Sequence, residues 1–314
     1  MKNQKMTAIY GGGPLYTGGD SVINDLKGSG FTTVIACFMH IESNGDFVFN
    51  NATDLLISEG EYVGNPVWPA QMYSLKEGTT SVNRILFSIG GWETADFPNI
   101  KALIFAEPGS YPNNPDIGPN SILYRNFQAL KTAIPSIDGI DLDDEDLYDE
   151  PTTIAFSQLL HNLGYQVTFC PFQQLNFWVD CLYRLNEQTP NLVTGFNLQC
   201  YSGGGRNNPA TWIQAIQAKM GPNFDAPGFV FPGLWCKNGD TCESGQCPTG
   251  FNSIANRFNE WQSTGIQGGF IWLYDDILHC ESSRVCSGPM NSAAYASAIT
   301  QGLASKANPD EKYN

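Results

Sequence analysis

Short apolar runs alternate with longer, more polar segments along most of the chain. Eight of these runs are rich in Val, Ile and Phe and are bounded by Gly, Pro or Asn, which is typical of buried β-strands. The segments between several of them have a helical pattern. The eight runs begin near residues 7, 33, 84, 139, 166, 194, 228 and 268.

The helical segments have apolar residues at three- and four-residue steps, the spacing that forms one helix face. The segment NPATWIQAIQAKM opens with Asn208 and Pro209, an N-cap followed by a first-turn proline. The segment FNSIANRFNEWQSTG ends in Gly265, as helices commonly do. The predicted helices cover residues 152–164, 177–188, 208–220, 251–265 and 290–305.

Alternating strands and helices predict an α/β fold with a parallel sheet. Eight such units in 314 residues predict a (β/α)8 TIM barrel. The rival is a doubly wound open sheet, but the glycine-rich residues 11–15 lack the G-x-G-x-x-G of a phosphate loop. No linker divides the chain, so residues 1–314 are predicted to form a single barrel domain. Residues 44–66 are predicted to form a hairpin-like excursion after the second strand.

The strongly negative net charge argues against nucleic acid and anionic membranes as binding partners. The net charge is −15 and the isoelectric point about 4.4, so a positive field for nucleic acid is lacking. Anionic membrane surfaces are disfavoured for the same reason, and no apolar run approaches 18 residues. Since the three histidines are far apart in sequence, we expect no metal site and no cofactor. Only 15% of residues are charged, which favours an uncharged polar ligand.

The nine cysteines fall into two groups. Cys37, Cys170 and Cys200 lie in apolar strand-like runs, where cysteine acts as a small buried hydrophobe. Five others lie in polar loops late in the chain and predict disulfides, since the C-x2-C pairs of zinc sites are missing. Disulfides indicate an oxidising compartment, so a secreted protein is expected, although no signal-peptide h-region is visible. The five are Cys236, Cys242, Cys247, Cys280 and Cys286.

The stretch DGIDLDDE, residues 138–145, places carboxylates inside a strand-like run. Because a strand alternates its faces, Asp141, Asp143 and Glu145 are predicted to share one face, and Ile140 and Leu142 the other. In a barrel the apolar face packs outward on helices. The carboxylates then point into the barrel and end at its carboxyl-terminal mouth, where barrel enzymes have their active sites.

Crowded carboxylates cannot all ionise at ordinary pKa values, so at least one should hold a proton near neutrality. Glu145, the outermost, is best placed to donate that proton, and a protonated acid beside an ionised one is typical of glycoside hydrolysis. The alternative of a calcium loop would need Gly and Glu where Asp146 and Thr152 stand. The sequence also lacks a serine nucleophile elbow and an H-E-x-x-H motif.

These residues resemble the signature D-x-x-D-x-D-x-E of glycoside hydrolase family 18, the family of chitinases and endo-β-N-acetylglucosaminidases. Further family features follow in the expected order: S-x-G-G after the third barrel strand, a tyrosine after the sixth and a tryptophan on the eighth. The resemblance spans nearly the whole chain. The matching residues are Asp138, Asp141, Asp143 and Glu145, then Ser88, Gly90, Gly91 and Trp92, then Gln199 and Tyr201, and finally Trp272.

The resemblance implies a substrate-assisted retaining mechanism in a single catalytic domain. Glu145 would protonate the leaving glycosidic oxygen and later activate water. The carbonyl oxygen of the substrate's N-acetyl group would be the nucleophile. Asp143 would orient that acetamide, Tyr201 would hydrogen-bond it, and Asp141 would share charge with Asp143. Trp272 would form the apolar floor under the sugar.

The remaining candidates have binding or structural roles. Trp92, Trp235, Tyr10 and Gln199 are expected to contact substrate, because they stand at strand carboxyl ends. Four residues are expected to support the site: Ser88 by a hydrogen bond to the acidic strand, Gly90 and Gly91 by letting the backbone pass close to Asp141 or Asp143, and Asp138 by fixing the strand entry. The tryptophans in helical segments are expected to be core residues; these are Trp178, Trp212 and Trp261.

The substrate is less settled than the reaction. About thirty residues separate Trp235 from Gly268, too few for the α+β insertion of processive chitinases, so an open cleft and endo cleavage of chitin or chito-oligosaccharides are expected. Asp144, where many chitinases have Trp, resembles endo-β-N-acetylglucosaminidases that cut N-glycan cores. Gln199 resembles the plant-type chitinases. Ser202, where many members have Asp or Asn, keeps a catalytically inactive sugar-binding protein as a further alternative. We expect a monomer.

Overall fold

The computed structural model describes residues 6–50, 54–236, 251–283 and 291–304. Its strands are β1 (Met6–Gly11), β2 (Thr33–Ile41), β3 (Phe47–Phe49), β4 (Asp54–Ser58), β5 (Glu61–Tyr62), β6 (Arg84–Gly90), β7 (Gly139–Asp143), β8 (Gln166–Phe169), β9 (Val193–Gln199), β10 (Val230–Trp235) and β11 (Gly268–Trp272). Its helices are α1 (Gly13–Thr17), α2 (Gly19–Gly28), α3 (Trp68–Ser74), α4 (Asp96–Ile104), α5 (Ile122–Ala133), α6 (Glu150–Asn162), α7 (Leu175–Gln188), α8 (Pro209–Met220), α9 (Ala226–Phe229), α10 (Phe251–Trp261), α11 (Tyr274–Ser283) and α12 (Ser292–Gly302).

Eight parallel strands close into a barrel. Their order around the ring is β1, β2, β6, β7, β8, β9, β10 and β11, and β11 pairs with β1 to complete it, with Met6 opposite Gly268. Each barrel strand coincides with one of the predicted runs, and helices surround the ring. The predicted (β/α)8 barrel is therefore confirmed.

The predicted excursion after the second barrel strand is also present. β3, β4 and β5 extend the sheet from β2 in antiparallel pairs, beginning with Met39 opposite Phe49. Its aromatic side chains are buried on the outer side of the barrel. The ring of Phe49 lies 4.9 Å from that of Trp68, and the ring of Phe47 lies 4.6 Å from that of Phe127. The excursion thus packs against α3 and α5.

The strands separate two packed layers. Outward side chains such as Ile140 and Leu142 are fully buried against the helices, as the alternation predicts. Trp178, Trp212 and Trp261 are buried in this outer layer. A smaller apolar cluster fills the barrel interior. Its buried members are Ala8, Tyr10, Ile35, Cys37, Leu86, Cys170, Tyr201 and Phe270.

The late, cysteine-bearing loops are largely outside this description. Cys242, Cys247 and Cys286 lie beyond the described residues, so the disulfides remain a prediction. Cys37, Cys170 and Cys200 are buried, as predicted. Between β10 and β11 the described chain contains only α10 and a short 3-10 turn, with no insertion domain among the described residues. No helix in the described ranges is long and apolar enough to cross a membrane.

Candidate active site

A pocket of about 610 Å³ opens at the carboxyl ends of the barrel strands. Nine of the residues singled out in the sequence line it, although they come from five different strands or the loops after them. Aromatic side chains make up much of its wall. The lining residues are Phe38, Gly91, Trp92, Asp143, Glu145, Phe172, Gln199, Tyr201, Ser202, Gly203, Trp235 and Trp272.

The acidic strand lies beside β6. Ser88 is opposite Asp141, and Gly90 is opposite Asp143. β7 ends at Asp143, so the prediction that Glu145 continues the inward face of the strand was wrong in this detail. Glu145 lies in the following loop, where the chain leaves the sheet, and reaches the pocket from there.

Close backbone approach explains the two glycines after β6. Gly90 and Gly91 both have positive φ, of 113° and 104°, which side chains rarely permit. A Cβ on Gly90 would overlap the carbonyl oxygen of Asp143. The N–H of Gly91 donates to that same oxygen at 2.9 Å. The glycines therefore hold the end of β7 in place and leave no side chain in the pocket floor.

Asp141 is fully buried and accepts four side-chain hydrogen bonds. Tyr10 and Ser88 donate to Oδ2 at 2.8 and 2.9 Å, and Thr168 and Asn197 donate to Oδ1 at 2.5 and 2.9 Å. Burial raises the pKa of Asp141, and the hydrogen bonds from its partners oppose that rise. With every lone-pair direction occupied, Asp141 anchors the base of the site and is not itself open to substrate.

Gln199 links the two carboxyl groups above Asp141. Its side-chain amide donates to Asp143 Oδ1 and to Glu145 Oε1, each at 2.9 Å. An amide NH2 has two hydrogens, so one goes to each acid. Gln199 therefore fixes the distance and orientation of the two groups relative to each other.

Burial raises the pKa of Asp143 well above its ordinary value, and the charges of Glu145 and Asp141 raise it further. Burial also raises the pKa of Glu145, while the hydrogen bond from Gln199 lowers it, and the charge of Asp146 raises it again. Each of the two acids therefore keeps its proton to higher pH than a free carboxyl group does. A site with this arrangement can both donate and accept a proton.

Asp144 does not face the pocket. It is buried, and its carboxylate accepts hydrogen bonds from the backbone N–H groups of Asp146, Leu147 and Tyr148 at 3.2, 2.9 and 2.9 Å. Asp144 thus stabilises the turn that follows β7. Because the carboxylate of Asp144 stabilises this turn and does not face the pocket, its presence does not favour N-glycans over chitin as the substrate.

The apolar floor is built around Trp272. The ring of Tyr201 stacks parallel to it, with centroids 6.3 Å apart and planes within 15°. The ring of Phe38 lies 5.5 Å away on another side. The indole N–H of Trp235 donates to Asp276 at 2.8 Å, which fixes a second wall. Trp92 stands at the rim with 64% of its surface exposed.

Tyr10 lies elsewhere than the sequence predicted, whereas Asp138 lies at the strand entry as expected. Tyr10, expected to contact substrate, is only 1% exposed. It lies beneath the pocket, where its hydroxyl donates a hydrogen bond to Asp141. Asp138, expected to fix the entry of the strand, stands at the start of β7, where it accepts from Lys76 at 2.5 Å and from the N–H of Ile85 at 2.7 Å. Asp138 therefore secures the entry of β7 and does not touch the chemistry.

Several contributing residues were not found from the sequence. Thr168 and Asn197 are buried polar residues inside apolar strands, and that contrast is the signal that could have revealed them. Phe38 could have been found because it stands near the carboxyl end of a barrel strand. No group of three or more metal-binding side chains lies together in the described part of the chain.

Comparison with known proteins shows similarity at the level of structure. A family 18 chitinase from Flavobacterium johnsoniae has a TM-score of 0.59 at 14% identity, covering 96% of this chain and 94% of the other. A mutant class V chitinase from Nicotiana tobaccum in complex with NAG4 has a TM-score of 0.56 at 12% identity, covering 94% and 99%. A chitinase-like agglutinin from Robinia pseudoacacia has a TM-score of 0.54 at 13% identity, covering 93% and 99%.

No family model matches the sequence, and no curated protein matches it. At these identities, structural similarity establishes the fold and not the activity. The chain has the (β/α)8 fold of the glycoside hydrolase family 18 chitinases, a fold that an agglutinin also has.

Proposed function

We propose that this protein is an endo-acting glycoside hydrolase that cleaves β-1,4-linked N-acetylglucosamine polymers, namely chitin and its oligosaccharides, with retention. The observation that supports this most is the amide of Gln199 held between Asp143 and Glu145. It places a partly exposed acid beside a buried one at the floor of an aromatic pocket. The NAG4-bound neighbour supports the same ligand class.

The reaction follows from the groups that face the pocket. Glu145 donates its proton to the glycosidic oxygen of the leaving sugar. The carbonyl oxygen of the substrate's own acetamide attacks the anomeric carbon from the other face and forms a cyclic oxazolinium intermediate. Asp143 stabilises the positive charge on the acetamide. Glu145, now ionised, takes a proton from the water that opens the ring and so restores the starting configuration.

The aromatic side chains supply binding and exclude water. Trp272 offers an apolar face to the sugar in the cleavage position, and sugar faces stack well on indole rings. The hydroxyl of Tyr201 is proposed to donate to the acetamide oxygen and hold it for attack. Burial raises the pKa of Tyr201 well above its ordinary value, so this hydroxyl remains a donor at working pH.

The alternatives are hydrolysis of N-glycan cores and sugar binding without catalysis. Asp144, the residue that resembles the N-glycan enzymes, accepts hydrogen bonds from backbone N–H groups outside the pocket and so does not favour N-glycans as the substrate. A binding protein has no need of an acid held beside a second carboxyl group, and Glu145 is such an acid. We further propose one catalytic domain over residues 1–314, a monomeric state, and a secreted protein with disulfides in the late loops.

One experiment separates the three functions. The protein is incubated with chito-oligosaccharides and, separately, with a high-mannose glycoprotein, and the product masses are measured. Release of N,N′-diacetylchitobiose and longer oligomers supports the proposal, and detection of the β-anomer by NMR as the first product supports the mechanism. Release of N-glycans that lack the innermost N-acetylglucosamine, which stays on the protein, would identify the second function. Binding of oligosaccharide without any product would reject the enzyme.

A further inference from the structure

A second pocket of about 230 Å³ lies beside the cleft, and we refer to it as the side pocket. It is lined by His40, Ile41 and Glu42 at the end of β2, and by Thr94, Ala95, Asp96 and Asn99 at the start of α4. The two pockets are neighbours through a single ring contact. The ring of Phe38, which lines the cleft, lies 6.0 Å from the ring of His40. A polymer that is bound in the cleft and extends past Phe38 would therefore reach the side pocket.

Asp96 sets the chemistry of His40. Its Oδ2 lies 2.9 Å from His40 Nδ1, and its Oδ1 accepts from the N–H of Ile41 at 2.5 Å. Asp96 is buried and, as a carboxylate, only accepts, so Nδ1 of His40 carries a hydrogen. In the tautomer with its single hydrogen on Nδ1, the other ring nitrogen, Nε2, is a hydrogen-bond acceptor on a partly exposed side chain.

The surroundings of the side pocket are acidic. Glu42 presents an exposed carboxylate at its rim. Among the described residues, neither Lys nor Arg lines the cleft or the side pocket, and the cleft contains the carboxyl groups of Asp143 and Glu145. The chain as a whole has a net charge of −15. A ligand group that donates hydrogen bonds and bears positive charge fits this environment best.

We propose that the side pocket binds a glucosamine unit of partially N-deacetylated chitin, with its ammonium group donating to Glu42 and to Nε2 of His40. This rests on the proposed function and deepens it, because it names a cationic polymer as the preferred substrate. The unit at Glu145 must keep its acetyl group, since that group is the nucleophile. A unit in the side pocket takes no part in the bond change and is free to be deacetylated.

The test compares two kinds of hexasaccharide, one fully N-acetylated and others with a single internal glucosamine at each position. The ratio of kcat/KM for the two kinds is measured, and the products are sequenced by mass spectrometry. We expect one position of glucosamine to raise kcat/KM about threefold at low ionic strength, the size typical of an exposed ion pair, and the gain to shrink with added salt. Glu42→Gln should return the ratio to about one.

Glu77→Gln is the matched control, since it removes the same charge from an exposed residue next to Lys76, which contacts Asp138 at the opposite end of the barrel. It should leave the ratio as in the wild type. His40→Ala should lower the ratio in the same direction as Glu42→Gln. An unchanged ratio in Glu42→Gln, with both hexasaccharides still cleaved, overturns the side pocket and leaves the proposed function standing.

Absence of cleavage of every hexasaccharide would instead reject the proposed function. The side pocket is then judged by calorimetric binding of the same hexasaccharides. A preference for the glucosamine-containing chain that is lost in Glu42→Gln supports the side pocket, and equal affinity of both chains in the wild type overturns it.

Discussion

The side-chain amide of Gln199 lies 2.9 Å from Oε1 of Glu145 and donates a hydrogen bond to it. The second hydrogen of that amide goes to Asp143. Two acids that would otherwise repel each other are thus held by one neutral donor from β9. Because the two acids share this donor and the charge of Glu145 raises the pKa of Asp143, a substitution of Gln199 or of either acid changes the pKa of the acids that remain.

Gln199→Leu should move the pH profile of kcat in a defined direction. The hydrogen bond from Gln199 lowers the pKa of Glu145, so its loss raises that pKa. Glu145 must be protonated to act as the acid, and the alkaline limb of the profile should therefore shift to higher pH. The maximum rate should fall, since the orientation of the acid is lost. A limb that stays in place or moves to lower pH would contradict this role.

Glu145→Gln should abolish turnover while oligosaccharide binding is retained. The amide cannot protonate the leaving oxygen, and loss of a general acid costs about 10²–10⁴ in rate. Binding rests on the aromatic walls, which this change leaves intact. The measurements are product release from chito-oligosaccharides and tryptophan fluorescence titration with the same ligands. Turnover near the wild-type rate would exclude Glu145 as the acid.

The same Glu145→Gln variant should be more stable than the wild type at pH 8. Glu145 and Asp143 both have raised pKa values in the folded protein, so the stability linked to their protonated forms is present at low pH and is lost as pH rises through those values. Glu145→Gln removes a partly buried group that ionises at high pH, so the variant does not lose this stability as pH rises. The melting temperatures of the two proteins should converge near pH 4, where both acids are largely protonated in the folded state.

Asp144→Ala should lower stability without changing the choice of substrate. Its carboxylate accepts hydrogen bonds from the backbone N–H groups of Asp146, Leu147 and Tyr148. Loss of a comparable side-chain cap at a helix N-terminus costs about 0.5–2 kcal/mol. Urea unfolding measures the cost, and Asp144→Asn is the control because it keeps one acceptor oxygen. Activity toward chito-oligosaccharides relative to a high-mannose glycoprotein should be unchanged. A changed preference would return Asp144 to the binding site.

Tyr10→Phe should reduce the free energy of unfolding by about 1.5–3 kcal/mol, since a buried hydrogen bond to a carboxylate is removed while the ring remains. Tyr183→Phe is the matched control, because its hydroxyl donates to Glu187 at the exposed surface, and it should lower stability far less than Tyr10→Phe. Equal effects of the two substitutions in urea unfolding would show that Asp141 does not depend on Tyr10.

The acidic stretch shows how far sequence reasoning extends. The alternation of Ile140 and Leu142 with Asp141 and Asp143 predicted which side chains face the barrel interior, because strand periodicity is a local property. It failed at Glu145, since the strand ends two residues earlier. Where a strand ends depends on contacts with neighbouring strands. Here the N–H of Gly91 donates to the carbonyl oxygen of Asp143, the last residue of β7, and residues 138–145 alone do not predict that contact.

By itself the sequence determined the eight barrel strands, the outward apolar face of β7 and the identity of the acidic residues, because each depends on spacing within one short segment. Only the tertiary structure decided that Tyr10 supports Asp141 and that His40 contacts Asp96. Tyr10 and Asp141 are 131 positions apart, and His40 and Asp96 are 56 apart. Barrel closure brings such residues together, and the strand register that selects them is a property of the whole sheet.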